Sequence, residues 1–241
     1  MIDQIHAAFD AHAEGYDGGM DNPLKALAGD SADDFIAVKL RWLLRRWPDL
    51  ASNTAQSILD YGCGTATLLR LMREAGVPGQ LTGTDVSTAM LREAARVWPM
   101  TLPAPTFRSQ DDADTALRGE SFDLIVISAV LHHVPMHLRT DVYREAHRLL
   151  KPGGRLVVFE HNPWNPVTSY IVARTPIDRD AILLPPPELA AALTSTGWSA
   201  VRTRYLMFLP PKLGALATLA DRAFGWLPIG GQYAVTACKR A

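Results

Sequence analysis

The first fifty positions are patterned as helix. Ile36, Leu40, Leu43, Leu44 and Trp47 recur at helical spacing and give one apolar face. Ser31 followed by Asp34 is a capping-box signal ahead of that face, and Pro48 ends it. The pattern then changes period. Ser57–Tyr61 and Phe122–Ser128 are short apolar runs that predict strands, Gln80–Thr84 and Arg155–Glu160 read as two more, and Pro105–Ser109 is a weaker one. Helical stretches over Thr67–Ala75, Thr88–Trp98 and His137–Leu150 alternate with them, and Pro152-Gly153-Gly154 reads as a turn. The unbroken apolar core of Phe122–Ser128 suits a strand covered on both faces. Such β-α alternation predicts a doubly wound parallel sheet.

The tail departs from the alternation. Glu188–Thr196 reads as helix, Ala200–Leu209 and Gln232–Lys239 as strands, and 210–231 as an insertion with Leu213, Leu216, Ala217 and Ala220 on one helical face. Two strands without a full crossover predict an antiparallel pair at the sheet edge. The expected fold is therefore α/β: a doubly wound, mostly parallel, seven-stranded Rossmann-like sheet with an antiparallel edge strand and N-terminal helices. The expected organisation is a helical segment, 1–50, that packs on the core and the acceptor pocket, followed by a cofactor-binding domain, 51–241, interrupted by 210–231.

The bend after the first strand carries the chemistry. Asp60-Tyr-Gly62-Cys63-Gly64-Thr-Ala66 lies between strand and helix, where open α/β sheets bind ligands and where a helix offers free N–H groups. Asp85, ending the second strand, is placed to accept hydrogen bonds from ribose hydroxyls. A dinucleotide fingerprint would put a third glycine at Thr67. Asp60, so close to a pyrophosphate, would also be repelled; it suits a cationic amino group. The spacing thus favours an adenosyl amino acid over a nicotinamide dinucleotide.

These motifs resemble those of the class I S-adenosylmethionine-dependent methyltransferases over roughly 56–160. Ile58-Leu-Asp-Tyr-Gly-Cys-Gly64 is similar to the family's first motif and Thr84-Asp85-Val86-Ser87 to its second. Ser121–Val126 followed by Ser128-Ala-Val-Leu-His-His-Val-Pro135 is similar to its fourth, and Leu150-Lys-Pro-Gly-Gly154 to the turn before the fifth strand. The resemblance implies S-adenosylmethionine as cofactor and S-adenosylhomocysteine as product. It implies cofactor contacts at Asp60, Gly62, Cys63, Gly64, Asp85, Val86 and Ser128, with Asp111 or Asp112 facing the adenine and Tyr16 folded over the ligand. Ala66 replaces a glycine common in the family. An Asn-Pro-Pro-aromatic signature of amino-group methylation is missing after the fourth strand, which reads Ser128-Ala129-Val130.

His133 and His161 are the candidate acid/base groups, since both follow strands at the ligand edge and histidine titrates near neutrality. No metal is expected, because the histidines lack convincingly spaced carboxylates. The reading is methyl transfer to a small-molecule acceptor by in-line displacement, with oxygen slightly preferred. The alternatives are a catalytically idle cofactor-binding partner module and a nicotinamide-dependent oxidoreductase.

Composition narrows the class further. The 241 residues are 48% hydrophobic and 20% charged, with a net charge of −1. That excludes a disordered chain and gives no general attraction to nucleic acid. Two cysteines, Cys63 and Cys238, cannot build a disulfide scaffold. Met1-Ile2-Asp3-Gln4 shows no secretory signal, and Asp221 and Arg222 interrupt the one long apolar stretch. A cytoplasmic protein without stable membrane insertion is expected, with a homodimer allowed.

Overall fold

A computed structural model describes residues 9–10, 13, 26, 28–110, 117–178 and 180–240. Tyr16, Asp111 and Asp112 lie outside the described residues.

Helix α1 (Ala32–Arg46) starts where Ser31 and Asp34 predict it, with the Asp34 carboxylate accepting from the Ser31 N–H at 3.1 Å, and it ends before Pro48. Then come β1 (Ser57–Tyr61), α2 (Thr67–Glu74), β2 (Gln80–Asp85), α3 (Thr88–Val97), β3 (Thr106–Ser109) and β4 (Phe122–Ser128). The second half holds α4 (Arg139–Leu149), β5 (Leu150–His161), α5 (Pro166–Val172), α6 (Pro186–Ser195), β6 (Ser199–Leu206), α7 (Ala215–Phe224) and β7 (Gln232–Cys238).

All seven strands join one sheet in the order β3-β2-β1-β4-β5-β7-β6. β1 to β5 are mutually parallel, and β7 runs antiparallel between β5 and β6. Successive strand residues face opposite sides. Ile58, Leu124, Val126, Val157 and Phe159 join one apolar cluster with Leu43 of α1 and Leu69 of α2. Leu59, Ile125, Ile127, Leu156 and Val158 join the other with Tyr143 of α4 and Leu189 of α6. The strand order reverses between β1 and β4, and the crevice beyond that point is where such sheets bind ligands.

Two expectations are corrected. Pro152-Gly153-Gly154 is not a turn ahead of β5 but lies within it: pairing steps from Phe122↔Leu150 to Leu124↔Arg155, so the extra residues are absorbed as a bulge. Pro166 opens a helix where the sequence pattern predicts none. Proline fits the first helical position, and the Asn165 side chain caps it by accepting from the Thr168 N–H at 3.0 Å.

Candidate active site

The glycine bend is fixed by β2. The N–H groups of Gly62 and Cys63 both donate to the Thr84 carbonyl, at 2.7 and 2.8 Å. Gly62 adopts φ +76°, and a Cβ there would come within 2.5 Å of a Val130 methyl, so no other residue fits. The Gly64 N–H donates to Asp85 Oδ2 at 2.8 Å, and Ser87 N–H to Asp85 Oδ1 at 2.9 Å, with half-buried Val86 between. Ala66 stands in the left-handed region at φ 61°, the conformation that explains the family's usual glycine. Burial pushes the Cys63 thiol well above its usual range, so its sulfur is a packing group against Gly83 and not a nucleophile.

Asp60 is buried, and its Oδ1 has no hydrogen-bond partner among the described residues. Burial pushes its pKa up to about 7; Lys39 draws it back and Asp85 adds to the rise. Lys39, from α1, is itself only 2% exposed and donates from Nζ to Ser128 Oγ at 2.9 Å. An unpaired carboxylate oxygen and a buried ammonium on either side of the switch point match the two charges of an amino-acid arm. The residues present therefore fit S-adenosylmethionine: Asp60 for its ammonium, Lys39 and Ser128 for its carboxylate, Asp85 for its ribose. Lys39 escaped the sequence reading, although a cation falling on the buried stripe between Ile36, Leu40 and Leu43 was its signal.

Beside this crevice the ends of β4 and β5 gather a histidine–carboxylate cluster. Glu160 accepts from the N–H groups of Val130 and Leu131 (3.1 and 2.7 Å) and holds His132 Nδ1 at 2.6 Å. His132 Nε2 lies 3.7 Å, and His133 Nε2 3.3 Å, from Asp178 Oδ1. Burial opposes a charge on His132, but Glu160 beside it and then Asp178 hold its pKa up to about 9. Burial likewise opposes the Glu160 charge, and His132 overcomes it, leaving the carboxyl at about 2. Burial lowers His133, with Asp178 partly offsetting it. Burial and the neighbouring His132 cation lower His161 to about 3. At neutral pH the cluster thus holds one imidazolium, His132, and two neutral imidazoles. His132 is closed off at 1% exposure, whereas His161 is half-buried and the side chain of His133 is 15% exposed. Its ring meets the edge of Phe9 at 4.9 Å, and Asp10 contacts Ser87 Oγ at 2.5 Å; both ends of the crevice therefore touch the N-terminal region.

Asp178, on a short turn after α5, was not a sequence candidate, because 45 residues separate it from His133 (178 − 133). Arg139 brings the turn home: it donates from Nε to the Val134 carbonyl and from Nη2 to the Ile182 carbonyl, while Ile182 N–H donates to the His132 carbonyl. His161 sits at the β5 end, 5.0 Å between ring centroids from His132, and its Nδ1 accepts from Gln232 Nε2 at 3.5 Å. Donor atoms of His132, His133 and Asp178 fall within 4.8 Å of one another, a spacing a divalent ion could also span.

Residues 58–154 match a methyltransferase-domain family. The demethylmenaquinone methyltransferase of Streptomyces avermitilis is 30% identical over 226 residues, covering 84% of this chain and 89% of that one. The chain belongs to the class I S-adenosylmethionine-dependent methyltransferases. The ubiquinone/menaquinone biosynthesis C-methyltransferase UbiE of Syntrophotalea carbinolica is 34% identical over 138 residues, 56% of each chain. Other relatives are far longer. The polyketide synthase-nonribosomal peptide synthetase phmA of Phaeosphaeria nodorum is 32% identical over 57% of this chain, which spans 3% of its length. Among solved structures, the CurJ carbon methyltransferase superposes with a TM-score of 0.63 at 18% identity, covering 90% of this chain and 58% of that one.

Proposed function

We propose that this methyltransferase acts on a small acceptor whose O–H proton is taken by His133. The carrying observation is the His133–Asp178 contact. Asp178 Oδ1 lies 3.3 Å from His133 Nε2, so a proton on that nitrogen faces the carboxylate and leaves the Nδ1 lone pair as the base, the logic of a histidine–aspartate dyad. His132, held cationic between Glu160 and Asp178, anchors that carboxylate and favours an anion forming nearby. His161 stays neutral and serves as a polar contact that orients the acceptor. Bound S-adenosylmethionine supplies an electrophilic methyl group. Asp60, Gly62, Cys63, Gly64, Asp85, Val86 and Ser128 line its place; Tyr16 and Asp111 or Asp112, which the family resemblance adds, lie outside the described residues. Holding an acceptor in line contributes roughly 7–11 kcal/mol through proximity alone.

Oxygen is the preferred nucleophile because loss of an O–H proton explains a base of this design. The C-methyltransferase relative supports a second reading, in which the same anion accepts the methyl at carbon.

The test is turnover of methyl-labelled cofactor with hydroxylated aromatic and quinol acceptors, the labelled product being analysed by mass spectrometry and NMR. An O-methyl product supports the first reading and a C-methyl product the second. Cofactor binding without turnover on any acceptor would favour the idle module. His133→Ala should lower kcat by roughly 100-fold or more with the cofactor Kd unchanged. Because burial lowers the His133 pKa, the rate should fall only in acid, with its midpoint below 6.5, and stay level through neutrality. Asp178→Asn should shift that limb further into acid. A chelator should leave the rate unaltered; its abolition, with recovery on adding a divalent ion, would replace the base by a metal.

A further inference from the structure

The segment between β6 and β7 is returned by topology to the acceptor side of the crevice. Leu206 and His161 both pair with Gln232, so the segment leaves and rejoins the sheet beside the end of β5. Within it, α7 turns Ala217, Ala220 and Asp221 inward and leaves Leu216, Leu219 and Phe224 outward. With Leu213, Trp226 and Ile229, these side chains are 44–68% exposed. Leu216 and Leu219, three residues apart, share the outer side of α7, and Leu213 precedes the helix across Gly214 at φ 54°, so it does not share the helical face with Leu216, Ala217 and Ala220 that the sequence predicts. The patch continues past the helix. Asn165 Nδ2 donates to the Ile229 carbonyl, and Asn162 Nδ2 to those of Pro228 and Gly230, fastening this turn to the start of α5, where Val167 and Tyr170 on the helix and Trp164 just before it are also exposed.

The charges around it have one sign. Between residues 199 and 231 the cations are Arg202, Arg204, Lys212 and Arg222, all exposed, and the sole acid, Asp221, is buried and accepts from the Phe208 N–H. Arg41 and Arg45 of α1, also exposed, lie close enough to act on Asp221. Large apolar residues, a tryptophan and a surround of cations are what an interfacial helix presents to anionic lipid. A second copy is disfavoured, because isologous pairing would bring two patches rimmed by cations of one sign together. Among the described residues no helix is long and apolar enough to cross a membrane, so the contact lies on the surface.

We propose that the α7 face docks on an anionic lipid bilayer, with Leu213, Leu216, Leu219 and Trp226 entering the headgroup boundary and Lys212, Arg222, Arg41 and Arg45 meeting lipid phosphates. The crevice then opens beside the bilayer, within reach of acceptors dissolved in it.

The test is co-sedimentation of the full chain with phosphatidylglycerol-rich and with pure phosphatidylcholine vesicles, alongside light scattering without vesicles. Binding to the anionic vesicles should be about tenfold or more tighter and weaken with salt. Leu216→Glu with Leu219→Glu should reduce it by a further factor of about ten while cofactor affinity, read by calorimetry, is unchanged. Equal binding to both vesicle types, anionic binding indifferent to the two substitutions, or a dimer that they dissolve in the absence of vesicle binding would each overturn the proposal. None of these readouts requires turnover, so failure here leaves the acceptor chemistry standing, and the reverse.

Discussion

A carboxylate buried with one oxygen unpaired, as Asp60 is, lowers stability once it ionises. Its folded pKa of about 7 lies above the usual 3.8, so its favourable protonated state is complete below 3.8 and is lost as pH rises through 7. Asp60→Asn, neutral throughout, should therefore raise the thermal midpoint at pH 8 and change it little in acid. The same variant should weaken S-adenosylmethionine binding at pH 8 by roughly ten- to a hundredfold, the scale of a hydrogen bond to a charged group. Calorimetric affinity equal to that of the parent would displace the cofactor's ammonium from Asp60. The His132–Glu160 pair gives a second pH dependence. His132 is raised from 6.5 to about 9, so its contribution is complete below 6.5 and fades through 9; Glu160 is lowered from 4.5 to about 2, so its contribution is complete above 4.5. Both are present in full between pH 4.5 and 6.5. Glu160→Gln should cost about 3–5 kcal/mol in denaturant titrations at pH 6, since it leaves His132 without its buried counter-charge. A loss under 1 kcal/mol would mean that the ion pair is not what holds the end of β5.

At the scale of elements, legibility followed local pattern. β1 and β4 announce themselves as apolar runs, and the glycine bend between β1 and α2 as composition, which is why the places of Asp60, Gly62 and Gly64 in the fold were readable. Elements decided by distant partners were not. Pro152-Gly153-Gly154 carries the chemistry of a turn, and only the pairing of Leu150 and Arg155 with β4 on either side of it, with backbone hydrogen bonds between Gly153, Gly154 and Lys239, keeps it in a strand. The residues of α5, Pro-Val-Thr-Ser-Tyr-Ile-Val, are rich in β-branched types that disfavour helix, so its anchorage must come from outside. Lys39 and Asp178 reach the site by the same kind of long-range placement. Asn165 concentrates the anchorage of α5: it caps the helix through Oδ1 and donates from Nδ2 to the Ile229 carbonyl at 2.8 Å. Asn165→Ala should cost about 1–2 kcal/mol and speed hydrogen exchange in both 163–172 and 226–231. Protection unchanged in the second segment would uncouple the two loops.

For the molecule as a whole, the question is whether residues 1–50 form a unit of their own. The sequence separates them by period, but α1 gives Val38, Leu40, Trp42 and Leu43 to the cluster that contains Ile58 and Val157, and gives Lys39 to the crevice. The Trp42 ring also meets Phe159 edge-on at 5.5 Å. A helix that supplies both core and site cannot melt without exposing one face of the sheet and disarming Asp60. Unfolding should then be a single transition, with helix content, tryptophan emission and S-adenosylmethionine affinity lost together. Leu43, wholly buried, is the place to press on this. Leu43→Ala should cost about 2–5 kcal/mol, the range for a cavity left in a packed core, and should move all three signals by the same amount. If instead the helical signal fell first, with emission and binding keeping their original midpoint, α1 would be an appendage, and Lys39 would be dispensable for holding the cofactor.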